Sequence, residues 1–271
     1  MKLHTFRLVP ALLVPLLMIA ALPVLAQSVY PGNGNSDFDS NFLTGSSLTV
    51  SNDGPGFGPG TGFVDFTITL AGANTIAGLQ TGNNNIVIYL DNGKGGGITS
   101  TAPSTFVTSG TFDGGEQAVS ENNGAGSASN LNFGGLMAPQ YAIEIDQFNF
   151  GQIYSDTGGV PTFIDGDSSG NTTGAGLSYL VIGGTASVNI PISEFGLTAP
   201  GTITLASLEV SATGYSSNEG TESLIGTNGY GNTQTLTGVD TFAVVPEGSS
   251  IGLLLSGGIG VLLMRKRYGR R

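Results

Sequence analysis

The stretch "GFVDFTITLAG", residues 62–72, decides the fold. Val64, Phe66, Ile68 and Leu70 occupy alternate positions, with Asp65, Thr67 and Thr69 between them. An extended chain puts the first set on one face and the second set on the other, as a half-buried β-strand requires. Working outward, similar runs recur at Ile86 to Leu90, Tyr141 to Asp146, Leu177 to Ile182, Ser187 to Ile190, Ile203 to Val210 and Val239 to Val244. No segment keeps a helical period for three turns, and 45 glycines and 12 prolines supply breakers between the runs. Many short strands joined by Gly, Asn and Asp turns predict an all-β fold, a single-domain β-sandwich of jelly-roll type. Its expected core is Phe66, Ile68, Ile143, Ile145, Leu180, Ile190, Leu205 and Val210. The run Ile203 to Val210 changes parity midway, which predicts either a bulge near Ala206 and Ser207 or burial on both sides. Residues 27–60 are poor in apolar side chains and read as an irregular leading segment with one edge strand near Ser47 to Val50. The Gly- and Asn-rich stretch from Gly114 to Ala128 reads as a long loop, and no repeat of fixed period is present.

The two ends differ from this body. Lys2 and Arg7 precede an apolar run from Leu8 to Leu25 that closes on Val24, Leu25 and Ala26, the pattern of a signal peptide over residues 1–26 with the mature chain starting near Gln27. At the other end, Ile251 to Met264 gives 14 uncharged residues before Arg265, Lys266 and Arg267. That is short of the roughly 20 that a comfortable bilayer span takes. Between these ends, residues 61–244 are expected to form the β domain. With no cysteine in an exported chain, its core and not disulfides must hold it together. Seven of the eight Lys and Arg lie in the leader and at the extreme C-terminus, which leaves Lys94 against all 19 acids in the body from Gln27 to Glu247, a charge of 1 − 19 = −18. Nucleic acid and anionic lipid are therefore poor partners, since both require a basic footprint.

The chemistry open to the body is narrow. The single histidine, His4, lies in the leader, so the body has no His, Cys or Trp. This excludes Ser-His-Asp and Cys-His nucleophile systems and removes the usual ligands of zinc and haem. Met137 reads as a core or loop residue, and Lys94, in the turn "DNGKGGG", has no neighbouring serine motif with which to form a dyad. "YAIEIDQFN", residues 141–149, resembles the catalytic strand of the family 16 glycosidases, but Gln147, Phe148 and Asn149 stand where that family has its next glutamate. Retaining hydrolysis needs two carboxyls about 5 Å apart, so Glu144 and Asp146 read as carboxylates on the wet face of a strand. "DGDSSGN", residues 165–171, matches the opening of a calcium loop, with Asp165, Asp167 and Ser169 as candidate ligands. The twelfth position, where a bidentate glutamate belongs, is Gly176. Asn171 opens a glycosylation triplet, "NTT".

Val245, Pro246 and Glu247, an apolar segment, and the basic cluster Arg265, Lys266 and Arg267 resemble the PEP-CTERM sorting signals handled by exosortases, with Gly248 in place of the second proline. The resemblance covers residues 245–271 and implies an exported protein, anchored through its C-terminus and then carried to the surface or beyond. The body resembles the DOMON-like sandwiches that include family 9 carbohydrate-binding modules, in "NNNIVIYLDNGKGGG" (83–97), "LNFGGLMAPQYAIEID" (131–146), "ASVNIPISEFGL" (186–197) and "ITLASLEVSATGYSSNEG" (203–220). The tryptophan platforms and haem ligands of that family are absent here. The expected function is a non-catalytic surface or matrix protein associated with exopolysaccharide. One alternative is a carbohydrate-binding module with Tyr89, Tyr154, Tyr179, Tyr215 or Tyr230 as stacking platforms. A glycoside hydrolase is the other. No cofactor is expected unless calcium is bound.

Overall fold

The computed structural model describes residues 26–244 apart from 36–37, 39–41, 43, 53–61, 79–83, 102–113, 122–128, 147, 149, 158–160, 169–175, 198–200 and 228–230. The alternation that opens the sequence forms a strand. Phe63–Thr69 is extended, with Val64, Phe66 and Ile68 fully buried in an apolar cluster and Asp65 and Thr67 on the opposite face. In chain order the elements are β1 (Gln27–Pro31), β2 (Ser47–Ser51), β3 (Phe63–Thr69), β4 (Asn84–Asp91), a helix (Gly114–Ser120), β5 (Asn130–Asn132), β6 (Tyr141–Ile145), β7 (Phe150–Ser155) and β8 (Thr162–Ser168). They continue as β9 (Ser178–Ile182), β10 (Thr185–Pro191), β11 (Gly201–Ser211), β12 (Tyr215–Gly220), β13 (Leu224–Gly226), β14 (Thr233–Leu236) and β15 (Asp240–Val244).

The fold is all-β and dominated by antiparallel pairing. One sheet has the order β1-β2-β3-β10-β9, and a larger one the order β12-β11-β4-β6-β7-β8 with β15 also on β11. Because β11 is 11 residues long, its first half pairs with β15 and its second half with β12 along the same edge. A small sheet, β13-β14-β5, contains the parallel pair β14 and β5. The inner faces of the two larger sheets share one apolar cluster, to which β3 and β10 give Phe66, Ile68 and Ile190 and β4, β6 and β11 give Ile88, Ile145 and Leu205. Each such side chain, fully enclosed, contributes roughly 1.5–3 kcal/mol.

The larger sheet is covered on both faces. Val87, Tyr89, Ala142, Leu208 and Val210 form a second cluster with Ala118 and Val119 of the helix, with Leu131 and Leu236 of the small sheet, and with Phe133 just after β5. This explains the unbroken burial of β4, "NNIVIYLD", whose apolar run is the mark of a strand enclosed on two sides. It also settles the parity change in β11. Ile203 and Leu205 face the first cluster and Leu208 and Val210 the second, while register with β4 runs unbroken from Thr204 to Ser211. No bulge interrupts Ala206 and Ser207; the irregularity lies on the β12 side, between Leu208 and Val210.

Several expectations need correction. Tyr179, not Leu180, fills the core position of β9, and Leu180 is half-buried on the outer face. Strand β2 is flanked by β1 and β3, so β1 takes the edge instead. The stretch expected as a loop from Gly114 contains the helix Gly114–Ser120, which ends at Glu121 in the left-handed region (φ 50°) that closes helices. Among the described residues no helix is long and apolar enough to cross a membrane. The expected signal peptide, the expected sorting motif Val245, Pro246 and Glu247, the apolar segment after it and the cluster Arg265, Lys266 and Arg267 lie outside the described residues.

Candidate functional site

The β7–β8 edge of the larger sheet is built from a short turn outward. Asp146, just past β6, accepts at Oδ1 the N–H groups of Phe148 (2.5 Å) and Phe150 (3.1 Å), while its own N–H donates to the Phe150 carbonyl (2.9 Å). An aspartate that bonds the backbone just ahead of it is a turn-forming residue. Along β7, Phe150, Gln152 and Tyr154 share one face, away from the main core that Ile153 enters. Opposite them on β8 stand Ser168, Gly166 and Phe163, and a register shift beside Tyr154 makes Ile164 the extra residue of a bulge.

These positions leave three aromatic rings in solvent. Phe163 meets Tyr154 edge-on, with centroids 5.9 Å apart at 76°. A Cβ on Gly166 would stand 3.1 Å from Phe163 Cε2 and 3.1 Å from Gln152 Cγ, so glycine is what lets this ring and this amide side chain come together. Phe148, Phe150 and Phe163 are 61%, 42% and 54% exposed. Phe150 and Phe163 lie on one face of the β7–β8 pair, four residues apart along β7, and Phe148 lies in the adjoining turn. Gln152 and Ser168 on the same face add an amide and a hydroxyl.

The expected platforms are elsewhere. Tyr89, Tyr154 and Tyr179 are fully buried, so they cannot stack on a ligand. Tyr89 donates to the Val119 carbonyl at 2.8 Å, and Tyr179 belongs to the main core. Tyr215 is half-buried against Phe38, with centroids 5.2 Å apart, and Tyr230 lies outside the described residues. Sequence periodicity does not mark these phenylalanines, because β7 and β8 carry no clean alternation: "FGQIYS" is mixed on both faces and "TFIDGDS" is mostly polar. The clue was available in the spacing of Phe148, Phe150 and Phe163 around a turn.

The acidic candidates are also placed differently from expectation. Glu144 is not on a wet face: it is fully buried and accepts from the Asn85 amide, on a sheet face that the helix covers. Asp146 caps its turn, so the pair does not converge on a cleft. Asp165 and Asp167 lie in the extended strand β8. Asp165 accepts from the N–H groups of Gly166 and Leu177, each at 2.8 Å, and Asp167 from that of Ser168 at 2.8 Å. Ser169 lies outside the described residues. Gly176 abuts both Asp165 and Glu194, an acid the sequence did not single out. Burial, then the charge of Asp165, pushes Glu194 up to about 7. Among the described residues there is no group of three or more His, Cys, Asp and Glu suited to a metal. Met137 is buried in the second cluster, and the exposed Lys94 donates to the Gly196 carbonyl.

Other carboxyls are enclosed in a body whose one cation lies at the surface. Burial pushes Asp65 up to about 7 against the opposing hydrogen bond of Thr67. Glu121 is pushed up to about 8 by burial, moderated by Ser216, Tyr89 and Thr101. Burial alone raises Asp156 well above the carboxylate range. No protein-family model, curated protein or solved structure matches the chain.

Proposed function

We propose that this chain is a non-catalytic, exported surface or matrix protein that holds neutral exopolysaccharide on its phenylalanine edge. In this reading the two larger sheets form a jelly-roll-like β-sandwich, residues 1–26 direct export, and residues 245–271 form a PEP-CTERM-like tail processed by an exosortase. The observation that carries it is that Phe150 and Phe163 are exposed on the sheet face they share with Gln152, with Phe148 exposed in the adjoining turn. Flat apolar rings with a polar neighbour suit the C–H faces and hydroxyls of a sugar. A body charge of −18 disfavours polyanions, and self-pairing of β8 across a two-fold axis would set Asp165 and Asp167 of one copy near those of the other. Both considerations select an uncharged polymer over an acidic one or a second copy.

Retention on neutral and acidic polysaccharide gels tests the binding. Phe163→Ser, at an exposed position, is expected to keep the melting temperature within a few degrees and to lose most of the retention on neutral gels. Unchanged retention would remove the aromatic edge from the proposal. The sorting part is tested by mass spectrometry of protein released from cells that carry an exosortase. A C-terminus near Pro246 and Glu247 is expected, and Gly248→Pro should raise the released fraction. Recovery of chains ending at Arg271 would exclude processing.

A further inference from the structure

The segment between β12 and β15 leaves the edge of β11 and comes back to it. Strand β12 pairs with β11 from Leu208 to Ser211, and β15 pairs with it from Gly201 to Leu205. Thr221 fills the gap between them: its N–H donates to the Ser207 carbonyl at 2.9 Å, and the Ser207 N–H donates to its hydroxyl oxygen at 3.3 Å. The excursion carries β13 and β14, and it places Leu236 inside the second cluster with Leu224 and Val239 packed against that cluster. It is therefore a flap over the outer face of the larger sheet. Its neck is narrow, since Thr237 donates both its N–H (3.0 Å) and its hydroxyl (2.8 Å) to the Ser223 carbonyl. Between that crossing and β11, the side chains of Glu222 and Asp240 hydrogen-bond to each other.

Two carboxylates cannot hydrogen-bond to each other, so the contact requires one proton shared by the pair. Burial, then the charge and hydrogen bond of Glu222, push Asp240 up to about 7 against a hydrogen bond from Thr221. The Glu222 carboxyl is fitted to its place, since a Cβ on Gly238 would collide with its Oε2 and stand 3.2 Å from its Cδ. The groups around the pair bring no positive charge to it. From β1, the Tyr30 hydroxyl donates to the Thr241 carbonyl at 2.6 Å. Burial and, more weakly, the Asp240 charge raise that phenol against a hydrogen bond to Ser28. On β12, Glu219 accepts from the Phe38 N–H at 2.9 Å. Lys94, the one Lys or Arg between residues 27 and 247, is bound to the Gly196 carbonyl. Among the described residues, only the proton offsets the repulsion of the two acids.

We propose that Glu222 and Asp240 form a proton-held clasp that closes the β13–β14 flap over the second cluster in acid and loosens it as the pH rises. The closed flap holds a proton that the open one releases, because separated carboxyls ionise near pH 4. Closure is therefore fully supported below about pH 4 and loses this support as the pH rises to about 7. The test is hydrogen exchange of the purified protein followed by NMR at pH 4.5, 6 and 7.5, with each rate divided by that of an unstructured chain to remove the intrinsic pH dependence. Protection of the Thr237 N–H at the neck is expected to fall at least about tenfold more than that of the Ile88 N–H in β4, a scale that allows for water reaching both acids. Glu222→Gln keeps the shape and gives Asp240 an amide donor at every pH, so the extra fall should vanish. Gly238→Ala displaces the Glu222 carboxyl, so Thr237 should already be poorly protected at pH 4.5 while Ile88 is not. Parallel changes at Thr237 and Ile88 in the unaltered protein would overturn the proposal, as would the same extra fall in Glu222→Gln or full acid protection of Thr237 in Gly238→Ala.

Discussion

Burial of single side chains divides residues that sequence alone treats alike. Ile145 and Leu180 both sit in apolar strands and both were expected in the core, yet Ile145 is fully enclosed while Leu180 lies half-buried on an outer face. Ile145→Ala should therefore cost about 2–5 kcal/mol through lost contacts and a residual cavity. Leu180→Ala should cost less than half as much, since water already reaches the site. Urea denaturation of the two variants checks this, and equal losses would contradict the assignment of Tyr179 to the core position. The register was hard to read because "LSYLVI" has apolar residues of both parities, and only contact with the opposite sheet selects one.

At the scale of elements, β8 takes the first half of a motif into a ladder. "DGDSSGN" has the side chains of a cation loop, but its first four residues are extended and bonded to β7 from Ser168 to Asp165. Wrapping an ion requires a curved backbone with converging oxygens, whereas here both oxygens of Asp165 already accept backbone N–H groups. The expected outcome is that calcium raises the melting temperature no more than sodium at matched ionic strength. Asp165→Asn with Asp167→Asn should leave that response unaltered. A calcium-specific increment that the double substitution abolishes would instead place an ion there, and the adjacent Glu194 would be its third carboxylate. The same hairpin carries the exposed Phe150 and Phe163.

For the whole molecule, the scarcity of cations sets the pH response. Asp65, Glu121 and Asp156 are enclosed with no basic partner among the described residues, and burial raises all three above the ordinary carboxylate range, to about 7 for Asp65 and about 8 for Glu121. In the unfolded chain such groups release their protons near pH 4. Between about pH 4 and pH 8 the folded state thus holds protons that the unfolded state has lost, and stability falls as pH rises. Below that window the full stability is present; above it this contribution is gone. Repulsion within a body of −18 acts in the same direction. The melting temperature should drop between about pH 5 and pH 8, the reverse of a protein held by ion pairs. Glu121→Gln, which keeps a polar group of the same shape beside Tyr89, Thr101 and Ser216, should flatten that drop. Identical slopes for the two proteins would show that Glu121 ionises as freely folded as unfolded.

Sequence by itself determined the all-β class, most of the strands and most of the core, because a period of two in "GFVDFTITL" or "IVIYL" is a local property that an extended chain converts directly into faces. It also fixed what chemistry is absent from the body, since a missing histidine or cysteine is missing in any fold. Tertiary structure alone decided which strands are covered twice, which is why Glu144 is buried rather than wet and why β11 changes parity without a bulge there. It alone decided that three tyrosines are core residues while three phenylalanines meet solvent. Exposure depends on the helix, the small sheet and the neighbouring strands that happen to lie over a residue, and these come from distant parts of the chain that no local period encodes.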